Sequence, residues 1–329
     1  MTTKEKLLEI FEKNRNTYFS GEALAKQLSV SRAAIWKAVK ALQTSGYAID
    51  AVTNKGYCLL EETDIISCQG IRKYLSLDIS DIFDIEVHDT LDSTSTFLKG
   101  KVYNGAKEGS VVIANEQTSG RGRIGRTFYS PKDTGIYMSI LLKPDNYTSD
   151  KAIKITTMAA VAACEAIEAV SGEKAMIKWV NDIFVNGKKV CGILTEGSFD
   201  MESGLMDYAV LGIGMNVYEP KNGFSQELKD IAGSILKDNV SDAKNRLISS
   251  FLNNFYKYYH SEDTMIYVNN YRERSFIIGK DISVISRNNS SRAKVLGIDD
   301  NCRLLLQYED GKEEYCSSGE IKIIPDKEV

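Results

Sequence analysis

Residues Gly120-Arg-Gly-Arg-Ile-Gly-Arg126 place three guanidiniums, Arg121, Arg123 and Arg126, on a backbone interrupted by Gly120, Gly122 and Gly125. Arginine presents a planar fork of donors that matches carboxylate and phosphate oxygens, and glycine lets a backbone come close to a ligand. The segment spells GxGxxG, and it nearly fits the P-loop spacing with Arg126 where lysine is required. Both of those motifs work by aiming a helix N-terminus at phosphate. Here Thr127-Phe-Tyr-Ser-Pro131 follows and reads as a turn and then a strand, so neither motif applies. A protein kinase is excluded because the chain has no His-Arg-Asp loop. Two readings of the segment remain, a strap that orders on an anion and a solvated basic loop.

Two further segments carry polar groups to strand ends. Lys178-Trp-Val-Asn-Asp182 closes a short strand, where Asn181 and Asp182 can orient a nucleotide or a metal ion. An Asn186-Gly187 hairpin turn follows, and Lys189 then enters the next strand ahead of Gly192. Gly212-Ile-Gly-Met-Asn216 ends another strand with small residues that admit a ligand to the sheet. Only His88 and His260 are present, which rules out a His-rich metal centre and argues against a Ser-His-Asp site. The six cysteines are scattered without a CxxC pair, the pattern of reduced, buried thiols.

The 329 residues exceed one typical domain. Hydrophobic residues at 43% and charged residues at 26% describe a globular chain and exclude wholesale disorder. No apolar run nears the roughly 20 residues of a membrane span, and the N-terminus lacks the apolar stretch of a signal peptide. A cytoplasmic protein with no membrane partner is therefore expected. Alternation and β-branching predict strands at 83–88, 110–117, 135–143, 176–179, 190–198 and 208–215, with helices over 149–170 and 242–260. That is a mixed sheet with helices. Short alternating runs at 282–285, 293–298, 304–308 and 314–316 predict a small SH3-like barrel.

Nine basic and five acidic side chains give residues 1–60 a charge of +4, so with −4 overall the remainder carries −8. A basic head on an acidic body suggests that the head alone meets a polyanion. Thr2–Asn14 reads as an amphipathic helix, Ser20 caps a second, and Ser31 caps a third that stops near Gly46. On the third, Ile35, Ala38, Val39 and Leu42 share the inward face. Ser31, Arg32, Ala33, Trp36, Lys37 and Lys40 are left for a ligand, with Lys55 at the tip of a following hairpin. The layout, a helix-turn-helix over about 21–40 with a wing, points to DNA. A small helical bundle for protein contacts is the alternative.

With these residues in hand, the chain resembles the bifunctional biotin–protein ligases that also act as biotin-operon repressors. The resemblance rests on Leu91-Asp-Ser-Thr94, Gln117-x-x-Gly-Arg-Gly-Arg-x-Gly-Arg126, Lys178-Trp-x-Asn-Asp182, Lys189-x-x-Gly-Ile193 and Gly212-x-Gly-x-Asn216, in that order, after a winged helix-turn-helix. It implies an α+β chain in three parts: a DNA-binding domain (1–62), a class II synthetase-like catalytic domain with a mixed sheet (63–275) and an SH3-like barrel (276–329).

The implied reaction joins biotin to ATP, with Mg²⁺, as biotinyl-5′-AMP, and passes the acyl group to a lysine of a biotin carboxyl carrier domain of a biotin-dependent carboxylase. No tightly bound metal is implied. Biotin would meet Ser93, Thr94, Ser95, Gln117, Gly120, Arg121, Gly122, Arg123, Lys189, Gly192, Gly212 and Gly214. ATP would meet Arg126, Phe128, Asn181, Asp182 and Asn216, with Asp182 on Mg²⁺ and with Lys189 and Arg123 as catalytic groups. Operator DNA and a homodimer formed with biotinyl-5′-AMP complete the expected partners. The chain departs from the family at Ser95, where asparagine is usual, at Val180, where proline is usual, and at Phe128, where tryptophan is common. A lipoate–protein ligase and a biotin-sensing DNA regulator without turnover are the alternatives.

Overall fold

Local capping already fixes the amino-terminal helices. Thr2 and Glu5 form a reciprocal capping box on α1 (Thr3–Lys13), while Ser20 and Ser31 accept from the third backbone N–H beyond them to open α2 (Gly21–Leu28) and α3 (Arg32–Thr44). Between those two, Ser29 takes a left-handed conformation (φ 54°) that turns the chain. The antiparallel pair β1 (Ile49–Val52) and β2 (Gly56–Leu59) forms the wing. Gly56 has φ 102°, and a Cβ there would lie 2.0 Å from the carbonyl oxygen of Phe19. Glycine is thus required where the wing is stitched to Phe19 by two 2.9 Å backbone bonds with Tyr57. Leu7, Phe11, Leu24, Ile35, Leu42 and Leu59 are fully buried in a core belonging to this head.

The computed structural model describes residues 1–324 apart from 146, 150, 287 and 288. Asp150 of the expected helix and the last five residues of the tail therefore lie outside the described residues. The body contains α4 (Cys68–Arg72), β3 (Asp84–Leu91), α5 (Thr94–Val102), β4 (Ser110–Gln117), β5 (Gly135–Leu142), α6 (Ala152–Ser171), β6 (Ala175–Lys178), β7 (Asp182–Val185), β8 (Lys188–Phe199), β9 (Met206–Asn216), α7 (Ala243–Tyr259) and α8 (Met265–Arg274). Its seven strands run β3-β4-β5-β9-β8-β7-β6, parallel only between β3 and β4, which makes the expected mixed sheet.

Every residue of β5 is buried, as a central strand covered on both faces must be. One face lies on the main core with α6 and α7. The other carries α5, packed through Leu98 onto Val112, Leu141 and Val210. Asn186 (φ 49°) and Gly187 (φ 76°) make the expected hairpin turn between β7 and β8. The pattern did not disclose α4, α5, α8 or β7, because each is short or only weakly periodic.

The tail forms β10 (Asp281–Ser286), β11 (Asn289–Ile298), β12 (Leu304–Tyr308), β13 (Glu313–Cys316) and β14 (Glu320–Ile323). These pair antiparallel in the order β13-β12-β11-β10-β14. Ile282, Val295, Leu304 and Leu306 belong to the same core as the body, and Trp179 Nε1 donates to the Cys302 carbonyl at 2.9 Å. Tail and body therefore share one hydrophobic interior.

The head joins the body differently: Ile65 packs on the head's own core, and beside it lies a buried cluster of charges. Arg15 places Nη2 2.7 Å from Asp242 Oδ1 and 2.8 Å from Glu12 Oε2, and Nη1 donates to the Thr63 carbonyl at 2.6 Å. Tyr74 and Asn245 also donate to Asp242, at 2.8 and 2.7 Å. The three charged side chains are only 1–3% exposed. Burial raises the Glu12 pKa, and the adjacent Arg15 opposes that rise. Removing the arginine would leave the buried Glu12 carboxylate without its ion-pair partner and Asp242 with Lys73, Tyr74 and Asn245 alone, at a cost of about 3–5 kcal/mol. Arg15→Ala is therefore expected to lower the denaturation midpoint and to admit protease at residues 61–66; an unchanged midpoint with the segment still resistant would show the joint to be unimportant.

Candidate active site

Adjacent strands β8 and β9 pair Gly192 with Gly214 and Leu194 with Gly212, leaving a floor almost without side chains. A Cβ on Gly214 would lie 2.5 Å from the Phe128 ring, one on Gly192 3.2 Å from it, and one on Gly212 2.9 Å from Ser95 Oγ. The glycines are thus the seat of Phe128 and Ser95. Above this floor is a cleft of about 380 Å³.

One end of the cleft is a seam of hydroxyls and an amide. Ser93 caps α5, and the next two residues turn inward: Thr94 Oγ1 lies 2.8 Å and Ser95 Oγ 3.0 Å from Ser139 Oγ. Gln117 Oε1 accepts from Thr94 N at 2.9 Å and from Thr94 Oγ1 at 3.1 Å, while its Nε2 donates to Ser130 Oγ at 3.0 Å. Ser93, Thr94, Ser95, Ser130 and Ser139 are all buried. Buried, mutually bonded donors and acceptors suit an uncharged polar ligand group and specify its orientation.

The other end is cationic. Residues 120–128 fold as a tight strap, with Gly122 N donating to the Arg126 carbonyl at 2.7 Å and Phe128 N to the Gly120 carbonyl at 2.9 Å. Arg123 donates through Nη1 to Asn181 Oδ1 at 3.1 Å and through Nη2 to the Gly319 carbonyl at 2.9 Å. Arg126 pairs with Glu320, and Arg121 lies 3.5 Å from Glu196. Lys189 Nζ stands 2.6 Å from Asp182 Oδ1. Asn181 Nδ2 donates to the Ile193 carbonyl at 2.8 Å, and Asn216 Nδ2 to the Gly233 carbonyl at 3.1 Å. Burial lowers the Lys178 pKa, against the pull of Asp182. Arg121, Arg123, Arg126, Lys178 and Lys189 thus line the cleft with Asp182 and Glu320 as the carboxylates among the described residues, an electropositive pocket suited to anions.

Every residue expected to meet biotin or ATP lines this cleft except Gly120. A Cβ on Gly120 would strike the Phe128 carbonyl oxygen at 2.4 Å and Ser130 Oγ at 2.6 Å, so this glycine closes the base of the strap instead. Ser130, Ser139, Lys178, Gly319 and Glu320 were not among the expected site residues. The serines gave no signal inside or beside apolar strand sequence, and the tail pair comes from an element with no chemical motif.

No cluster of three or more His, Cys, Asp or Glu fit to hold a metal exists among the described residues. Mg²⁺ needs only one or two carboxylates when substrate phosphates supply further ligands. Asp182 therefore fits an ion that arrives with a triphosphate.

At the head, Ser31 caps α3, while Arg32, Ala33, Trp36, Lys37 and Lys40 are exposed along it, Trp36 by 52%. Lys55 is exposed at the wing tip, with Nζ 5.6 Å from the centre of the Tyr18 ring.

Three family models match the chain: an HTH domain over residues 3–58, the biotin/lipoate A/B protein ligase family over 87–216, and the biotin protein ligase C terminal domain over 277–323. The bifunctional ligase/repressor BirA of Bacillus subtilis is 35% identical over 322 residues, which cover 96% of this chain and 98% of that protein. The protein of the same name from Escherichia coli is 30% identical over 200 residues, 61% of this chain and 60% of that one. The structure of a biotin protein ligase from Aquifex aeolicus in complex with biotin and ATP superposes with a TM-score of 0.61 at 23% identity, covering 74% of this chain and 99% of that one, a likeness of fold.

Gly214→Ala is expected to unseat Phe128, an overpacking cost of about 1–3 kcal/mol, and Phe128→Ala should recover most of it. Thermal melts of the two singles and the double check this; full additivity would mean that the ring does not rest on the floor.

Proposed function

Because the chain belongs to the family of bifunctional biotin ligase/repressors, we propose that the cleft activates biotin with ATP as biotinyl-5′-AMP and delivers it to a lysine of a biotin carboxyl carrier domain, while the head reads operator DNA. The observation that carries this reading is the meeting of two chemistries over one glycine floor. A buried hydroxyl seam suits the uncharged ureido ring of biotin, and the facing cationic wall suits its carboxylate beside a triphosphate.

The first step requires two anions to approach. The biotin carboxylate attacks the α-phosphorus of ATP, and pyrophosphate departs. Lys189 and Arg123 lie where negative charge accumulates and stabilise it without reorganisation. Mg²⁺ carried by the triphosphate would be met by Asp182 and would offset part of the phosphate charge. Thr94, Ser95 and Gln117 orient the ring, with Ser93 and Ser139 holding them. Gly192, Gly212 and Gly214 let it lie against the sheet, and Gly120 and Gly122 let Arg121 and Arg123 close over it. Arg126 reaches phosphate, Phe128 offers its ring to adenine, and Asn181 and Asn216 border the nucleotide. In the second step the carrier amine attacks the acyl carbonyl and AMP leaves. Until then the strap excludes water from the mixed anhydride.

The three activities are assigned to residues 1–62 for DNA, 63–275 for catalysis and 276–329 for support of the strap and nucleotide. Ser31, Arg32, Ala33, Trp36, Lys37 and Lys40 on α3, with Lys55 on the wing, form the DNA face. Binding of biotinyl-5′-AMP would favour a homodimer and thereby operator binding, as a ligand that prefers one state must.

Pyrophosphate release that depends on biotin, with label transferred to carrier domain, tests the reaction; ATP turnover without biotin dependence would refute it. Lys189→Ala is expected to slow adenylate formation by about 10²–10³-fold, read by single-turnover quench, and unchanged turnover removes Lys189 from the mechanism. Arg123→Gly should leak reactive intermediate onto bystander lysines; wild-type leakage would deny the strap its role as a cover. Lys37→Ala and Lys40→Ala should each lower the slope of log K against log salt by about 0.9 for every phosphate the lysine neutralises, whereas unchanged slopes would place the DNA elsewhere.

A further inference from the structure

Glu196 stands outside the cleft wall. It lies on β8 two residues beyond Leu194 and so shares that residue's face of the sheet, the face that carries α5 and the floor. Its Oε1 is 2.7 Å from Lys99 Nζ on α5 and 3.5 Å from Arg121 Nη2 on the strap. Its Oε2 is buried and has no hydrogen-bond partner. A buried carboxylate oxygen without a donor is costly, so this arrangement is incomplete as it stands. The other limb of the strap is held by the Arg123 bonds to Asn181 and Gly319 and by the Arg126–Glu320 pair. Arg121 meets Glu196 through one long contact only, half of the two-pronged arginine–carboxylate fork.

We propose that Glu196 is a positioning residue that holds the Arg121 limb of the strap over the hydroxyl end of the cleft, with Arg121 engaging Oε2 as well as Oε1 when ligand is in place. Lys99 sets the angle of the carboxylate, and it does so from the same short helix whose first residues, Thr94 and Ser95, line the ligand pocket. The strap is then fastened at two ends, to α5 and β8 through Glu196 and to the tail through Gly319 and Glu320. The inference rests on the reading that the strap covers biotinyl-5′-AMP, and its test separates the two.

The experiment loads full-length protein with labelled biotinyl-5′-AMP and follows its release into excess unlabelled compound for wild type, E196Q, E196D, R121Q and E196Q/R121Q. Release is expected to quicken about tenfold for E196Q and for R121Q, the scale of one charge-assisted bidentate contact. The double variant should release no faster than either single, and E196D, which keeps the charge, should restore slow release in part. A general loss of packing would not reproduce this non-additivity with Arg121. Wild-type release from E196Q while R121Q is fast, or a double variant in which the two effects multiply, overturns the role of Glu196 and leaves the strap standing. Wild-type release from R121Q removes the strap reading itself, and this inference with it.

Discussion

Five cationic side chains gathered around one cleft repel one another, and much of the architecture serves to hold them there. Four of them, all but Lys178, are answered by acceptors from several parts of the chain. Lys189 faces Asp182 across the β7–β8 hairpin, Arg123 takes the Asn181 side chain and a tail carbonyl, Arg126 takes Glu320, and Arg121 leans toward Glu196. Exposed ion pairs contribute little to stability, so these contacts act mainly on geometry. They keep the guanidiniums and the ammonium aimed at the cleft rather than at bulk solvent. The tail belongs to this scheme because its core is continuous with that of the body and because Trp179 is bonded to it.

Three residues that depart from the family pattern are accommodated by their surroundings. Ser95 is short, yet its hydroxyl reaches Ser139 at 3.0 Å because Gly212 has no Cβ to obstruct it. Phe128 is smaller than tryptophan, and its ring settles on Gly214 and Gly192 and meets Tyr137 edge-on at 6.4 Å. Val180 is buried, and its carbonyl accepts from the Tyr271 hydroxyl at 3.0 Å. None of the three alters the charge of the cleft.

The parts of the site that could be read from sequence are those whose chemistry is spelled locally. Glycine beside arginine, a strand ending in Asn-Asp, and glycines one residue apart announce close backbone approach and fixed charge without any knowledge of the fold. The capped helices of the head and the long central strands were legible for a similar reason, since caps and alternation are short-range. What stayed hidden is contact between distant segments. Ser139 sits in Gly135–Leu142, a run of apolar residues that gives no sign of a polar role. Gly319 and Glu320 look like any turn entering a strand until β14 brings them under the strap. The weakly periodic α5 escaped because Thr-Ser-Thr-Phe-Leu-Lys carries no clear apolar stripe, even though Ser93 caps it.

The polar joint between head and body has an evolutionary side. A greasy interface, once parted, leaves an adhesive scar that must be redesigned before the remainder is soluble. Here the seam has Ile65 as an apolar contact on the head's core, and Arg15 against Asp242 as its charged part, with Lys73 and Tyr74 already beside that carboxylate on the body. Stripped of the reader, Asp242 would still have Lys73, Tyr74 and Asn245 of the body as partners. A lineage can therefore shed regulation, or exchange one reader for another, while inheriting the catalyst intact.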